Sequence, residues 1–197
     1  MLYVMKRKKD QTGDKSKHQS VRIIKSYVVE SIEYLEDRWD EIVGLCEYFK
    51  ARAYIYPQVM NHKDISLDVI SHVVDRMKSG QYNQQYLFNS VVGKMKTRTR
   101  VWIIDIDEPV ISPMMMAHIE YQCEPKTVFS YDEWGNHNGY IHPPKIITTI
   151  RTKNGWHLLT KPFYLEQFKD KYPDVDVQKQ GPTLLYFPDS LENNYIK

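Results

Sequence analysis

The stretch VWIIDIDEP, residues 101–109, decides the reading of this chain. Val101 to Ile106 is a bulky, β-prone run that ends in two acids one residue apart, Asp105 and Asp107. Side chains at i and i+2 of a strand share a face, so the two carboxylates project together with Cβ atoms roughly 6–7 Å apart. Two like charges that close call for a cation. Mg²⁺ or Mn²⁺ suits them, since hard ions take oxygen ligands, commonly one or two carboxylates completed by substrate phosphates. Alone, the pair also matches a strand that runs into a solvated loop.

Working outward, the chain carries two basic segments around this strand. KMKTRTR, residues 94–100, precedes it with Lys94, Lys96, Arg98 and Arg100. RTKNGWHLLTKPF, residues 151–163, follows, and its KNG is a turn signal that delivers Trp156 and His157 onto a new strand. Arg151, Lys153, Lys161 and, when protonated, His157 place cations around that turn. Such a turn can hold a triphosphate, and Gly155 permits a close backbone approach. Further on, Asp174 and Asp176 in DVDVQKQGPTLLYFP repeat the spacing of the first acid pair, with Lys179 after them.

The remaining chain sets the frame. Its 197 residues, 42 % of them hydrophobic, suit one domain with a real core. A net charge of +2 excludes a globally basic nucleic-acid coat, so any such binding must come from local clusters. Cys46 and Cys123 form no CxxC pair, which excludes a zinc finger or redox motif and fits a reducing compartment. No apolar stretch reaches the ~20 residues of a membrane span, and no signal peptide opens the chain. A cytoplasmic, soluble protein is the expectation.

LYVMKRKK and SVRIIKSYVV flank a polar stretch and predict an N-terminal β-hairpin within residues 1–30, with a long basic tip. Residues 31–50 carry Ile32, Leu35, Trp39, Ile42, Val43, Cys46 and Phe49 at helical spacing behind Ser31 as N-cap. ARAYIYP reads as a strand. DISLDVISHVVDRMKSG reads as a helix with Ile70, Val73, Val74 and Met77 on one face and Gly80 as its stop. NQQYLFNSVVGKM and SPMMMAHIEYQC read as helices, the latter entered through Ser112 and Pro113. Residues 124–144 are loop-rich. KIITTIRT, WHLLT and TLLYFP are strands, and KPFYLEQFKDKYP is a helix. Strands and helices mix without strict βαβ alternation, so the predicted class is α+β.

The ordered set IIDID, GWHLL and VD resembles the archaeo-eukaryotic primase superfamily, the primase-polymerases, of the minimal kind found in phages and mobile elements. The resemblance covers roughly residues 45–187, the motif-bearing core of a single domain spanning 1–197. In that family the first motif is an apolar strand ending in two spaced acids, matched by Asp105 and Asp107. The second is a small residue, any residue, then histidine, matched by Gly155, Trp156 and His157, with glycine where serine is usual. The third is an apolar residue and an aspartate, matched by Val175 and Asp176, with Asp174 and Asp189 as rival acids.

The resemblance implies an RRM-like antiparallel sheet backed by helices, and a primase- or polymerase-type nucleotidyltransferase used in DNA replication. Asp105, Asp107 and Asp176 would hold Mg²⁺ or Mn²⁺. His157 would contact the incoming nucleoside triphosphate, with Arg151, Lys153, Gly155 and Lys179 around it. Lys94, Lys96, Arg98 and Arg100 would meet a single-stranded DNA template, and a replication partner such as a helicase would complete the assembly. Two other classes remain open: a metal-dependent nuclease using the same acids, and a catalytically degenerate module that binds single-stranded DNA or a replication partner.

Overall fold

The computed structural model describes residues 1–7, 21–82, 87–94 and 100–188. Two four-stranded antiparallel sheets form its frame. The first runs β10 (Thr183–Tyr186), β3 (Arg52–Ile55), β1 (Leu2–Arg7), β2 (Val21–Tyr27). The second runs β7 (Ile146–Arg151), β8 (Trp156–Thr160), β4 (Trp102–Ile106), β9 (Asp176–Gln178). The expected N-terminal hairpin is present as the β1–β2 pair, while its tip lies outside the described residues. The class is α+β, with helices backing antiparallel sheets.

Period-2 alternation explains each sheet's two faces. In the first, Leu2 and Val4 pack with Ala51 and Ala53 against Ile42 and Cys46 of α2 (Trp39–Phe49). Burial pushes the Cys46 thiol up to about 12, so it is a core side chain without thiolate chemistry. The opposite face carries Tyr3, Arg52 and Tyr54, with Tyr3 directly across from Tyr54. In the second sheet, Trp102, Ile104, Ile106 and Leu158 form a core with Met115 and Ile119 of α5 (Pro113–Tyr121) and Phe168 of α6 (Leu165–Lys171). Ile103, Asp105, His157 and Leu159 therefore point away from those helices.

The second sheet is assembled in the order β4, α5, β7, β8, α6, β9, with β4 and β8 central. An arm of two strands, β5 (Val128–Tyr131) and β6 (His137–His142), is inserted between α5 and β7. The loop-rich reading of 124–144 missed this hairpin. Its tip is set by Asp132, whose Oδ1 accepts from the backbone N–H of Trp134 and Asn136, and by Gly135 at φ +79°. Its base is set by Lys145, which is buried and donates to the carbonyls of Glu120, Cys123 and Pro125.

Three further differences from the sequence expectations have local causes. The helix over 31–50 is two, α1 (Ile32–Asp37) and α2, broken where Arg38 sits at φ −101°, ψ 0°. Ser31 caps α1 as expected, accepting from the Tyr34 N–H, but Ile32 is exposed. The inward face of α3 (His62–Lys78) is Ile65, Val69 and Val73, which pack with Leu87 and Val91 of α4 (Leu87–Lys94). Ile70, Val74 and Met77 are exposed instead. Finally, Asp176 opens a short strand of its own, β9, ahead of the TLLYFP strand. Among the described residues, no helix is long and apolar enough to cross a membrane.

Gly155 locks the β4–β8 register. A Cβ on it would stand 1.8 Å from the Ile106 carbonyl oxygen and 3.0 Å from Asp107 Cα. The obstacle is backbone, so no rotamer change relieves it. Gly155→Ser is expected to lower unfolding free energy by about 2–3 kcal/mol. Denaturant titration checks this, and an unchanged midpoint would contradict the close packing.

Candidate active site

The β4 pairings bring the three motifs into one row. Asp105 lies directly opposite His157 of β8 on one side and opposite Asp176 of β9 on the other. Directly opposed residues share a sheet face, with Cβ atoms about 4.5–5.5 Å apart. Asp107, two residues beyond Asp105, follows the end of β4 and lines the same cleft. Asp174 lies in the turn before β9, and Asp189 lies outside the described residues. Asp176 is thus the acid in register with Asp105.

His157 is held from both sheets. Its Nε2 stands 3.5 Å from Asp105 Oδ1, and its Nδ1 is 2.9 Å from the Thr183 hydroxyl on β10. A neutral ring with its proton on Nε2 satisfies both, with Nδ1 accepting from Thr183. The side chain of His157 is 8 % exposed and that of Asp105 is 32 % exposed. Burial pulls the His157 imidazole below its usual value, with Asp105 opposing and Arg7 adding to the shift. Burial also pushes the Asp105 carboxyl up, against the pull of His157 and Arg7 and with the push of Asp107 and Asp176.

The first sheet closes the cleft with cations. Arg7, Arg52 and Tyr54 face Asp105, Asp107 and His157 across it. The Arg7 guanidinium lies 5.2 Å from the Tyr54 ring centroid, and Arg52 is buried. From the second sheet, Thr152, Lys153 and Asn154 of the β7–β8 turn form the rim. Acids on one sheet and guanidinium groups on the other, with a basic turn at the mouth, suit an anion that carries its own metal.

Other candidates from the sequence lie elsewhere. Arg151 donates to the Pro109 carbonyl at 3.1 Å and stacks on Trp156, whose indole N–H donates to the same oxygen. Trp156 is paired with Ile106 and sits on the helix side of the sheet, so Arg151 holds the loop after Asp107 from outside the cleft. Lys179 lies 5.5 Å from the Trp102 ring, which is also on the helix side. Gly155 meets the Ile106–Asp107 backbone rather than opening toward a ligand. Lys94 ends α4, Lys96 and Arg98 lie outside the described residues, and Arg100 is exposed before β4.

Arg7, Arg52, Tyr54 and Thr183 were not singled out from sequence. Arg52 carried a signal: an arginine alternating with alanines in ARAYI shares a face with Tyr54. What it faces depends on the packing of two sheets far apart in the chain.

The donor set fits a hard divalent ion. Asp105, Asp107 and Asp176 offer only oxygen, and their mutual repulsion contributes to the raised Asp105 carboxyl. Among the described residues, no three His, Cys, Asp or Glu side chains converge closely enough to form a metal cage of their own. A Mg²⁺ or Mn²⁺ ion here would draw further ligands from phosphate and water. Comparisons of the chain with protein-family models, with characterised proteins and with solved structures returned no match.

Because the folded-state Asp105 carboxyl titrates above its ordinary 3.8, its ionised form costs stability at neutral pH. That cost disappears as pH falls through the raised value toward 3.8. Metal-free Asp105→Asn is therefore expected to unfold at higher denaturant than the parent at pH 7, with the advantage shrinking toward pH 4. A lower midpoint for the variant at pH 7 would contradict the electrostatics described.

Proposed function

We propose that this protein is a metal-dependent nucleotidyltransferase of the primase-polymerase type, extending or initiating oligonucleotides on a single-stranded DNA template from nucleoside triphosphates. The observation that carries the reading is the single row Asp176–Asp105–His157, whose Asp105 and His157 share a cleft with Arg7 and Arg52. Three short motifs that resemble one family's catalytic set share one face of adjacent strands. The β-α-β-β-α-β order of the second sheet, with its first strand beside its third and fourth, supports the RRM-like form expected of such a core.

On this reading Asp105 and Asp107 hold Mg²⁺ or Mn²⁺, and Asp176 completes the carboxylate set. Such an ion, when bound, would supply Lewis-acid polarisation of a phosphate and lower the pKa of a 3′-hydroxyl. His157 keeps Nε2–H toward the acids and toward a phosphate oxygen that enters between them, fixed there by Thr183. Arg7, Arg52 and Lys153 neutralise the β- and γ-phosphates and the leaving pyrophosphate. Gly155 sets the height of Asp107 by letting β8 start under its backbone. A helicase or other replication protein is the expected partner, and template contact falls to the basic stretch 94–100.

The test is nucleotide incorporation on primed and unprimed single-stranded DNA, with ribo- and deoxynucleoside triphosphates and Mn²⁺ or Mg²⁺. Product is expected that falls to background in Asp105→Ala/Asp107→Ala. Metal-dependent triphosphate binding without product would instead assign a catalytically degenerate module. Template degradation without added triphosphate would assign a nuclease. The absence of both binding and turnover would overturn the reading.

A further inference from the structure

Helix α3 carries more apolar surface than the fold covers. Ile65, Val69 and Val73 pack toward α4. A second stripe, Leu67, Ile70, Val74 and Met77, stands 56 %, 60 %, 42 % and 54 % exposed. Its spacing is three, four, three, the a/d rhythm of a coiled-coil seam. At 3.6 residues per turn the four side chains fall within an arc of about 80°. Scattered exposed apolar residues need no explanation, but four in a heptad register along one 17-residue helix form a continuous ridge.

The charges beside that ridge indicate what covers it. With Leu67 at position a, Asp64 and Lys78 both occupy e positions, on the same flank at opposite ends of the seam, and both are exposed. In an antiparallel pair of helices, e faces e. A second copy of α3 laid antiparallel sets Leu67 against Met77, Ile70 against Val74, and Asp64 against Lys78, each pairing occurring twice by symmetry. A parallel pair would instead set Lys78 against Val73 of the other copy and give neither charge a counter-charge. The helix carries three acids, Asp64, Asp68 and Asp75, and three bases, Lys63, Arg76 and Lys78, so two copies do not repel. Antiparallel helix dipoles add to the preference.

We propose that the outer face of α3 is a self-association surface through which two copies of this chain pair antiparallel by a two-fold axis near the middle of the Leu67–Met77 seam. The contact is isologous and closes on itself, so it gives a dimer and not a filament. A four-position seam is short, which places the complex among weak, reversible dimers. The inference is independent of the proposed activity.

Sedimentation equilibrium of the full chain up to about 100 μM tests it. The expected weight-average mass rises with concentration from the 23.5 kDa of one chain toward twice that value. Ile70→Glu/Val74→Glu is expected to remain monomeric throughout, with an unchanged circular dichroism spectrum, since both side chains are exposed. Asp64→Lys and Lys78→Asp are each expected to weaken the dimer about tenfold, and the two combined to restore it. A parent chain monomeric at every concentration would overturn the proposal. So would a dimer indifferent to Ile70→Glu/Val74→Glu. A double charge swap without recovery would overturn the antiparallel arrangement.

Discussion

A one-residue slip of β4 against β8 would carry Asp105 from the cleft into the packing of Ile104 and Leu158 against α5 and α6. Everything proposed for the site depends on that slip being forbidden. Two constraints forbid it. The apolar face of β4 has nowhere else to go, because Trp102, Ile104 and Ile106 together fill the helix side. The turn before β8 passes so close to Ile106 and Asp107 that only a residue without Cβ fits at position 155. The same contact that fixes the register fixes where Asp107 stands.

A correctly aimed acid row is electrostatically costly in the absence of a cation. Asp105 is partly buried beside two other carboxylates, and its raised titration expresses that strain. The first sheet offsets part of it. Arg7 and Arg52 face the acids, and Thr183 reaches across to hold His157. The two sheets therefore do different work: one presents acids and a histidine, while the other presents cations and the hydroxyl that orients the ring. The proposed divalent ion with a polyphosphate would answer both, the ion satisfying the carboxylates and the phosphates the guanidinium groups.

Local features of this arrangement could be read from the chain. The β4 strand and its acids, the turn before Trp156, and the Ser112–Pro113 entry to α5 are each specified within a few residues. The coarse class followed from the mixture of periodicities. Other features needed the fold. β9 is three residues long, too short to announce itself, and exists because β4 offers an edge. The β5–β6 arm contains no core, so its strands lack apolar alternation, although Asp132 and Gly135 were a legible turn. On α3 two apolar stripes compete, and the sequence pattern favoured the one that faces outward. Arg151 and Lys179 carry the right charge near the right motifs but fall on the helix side of the sheet. Proximity in sequence does not fix the face when a turn intervenes. Arg7, Arg52 and Thr183 come from strands more than 20 residues from the motif residues they face, so only packing reveals them.

On the proposed function, Asp105 and Asp107 would hold a divalent ion jointly with a triphosphate. Electron paramagnetic resonance of Mn²⁺ with a non-hydrolysable nucleoside triphosphate tests it most directly. Bound Mn²⁺ is predicted to increase sharply when the triphosphate is added to the parent chain. No such increase is predicted for Asp105→Asn/Asp107→Asn. Mn²⁺ binding that ignores the triphosphate, or that survives loss of both carboxylates, would contradict the account.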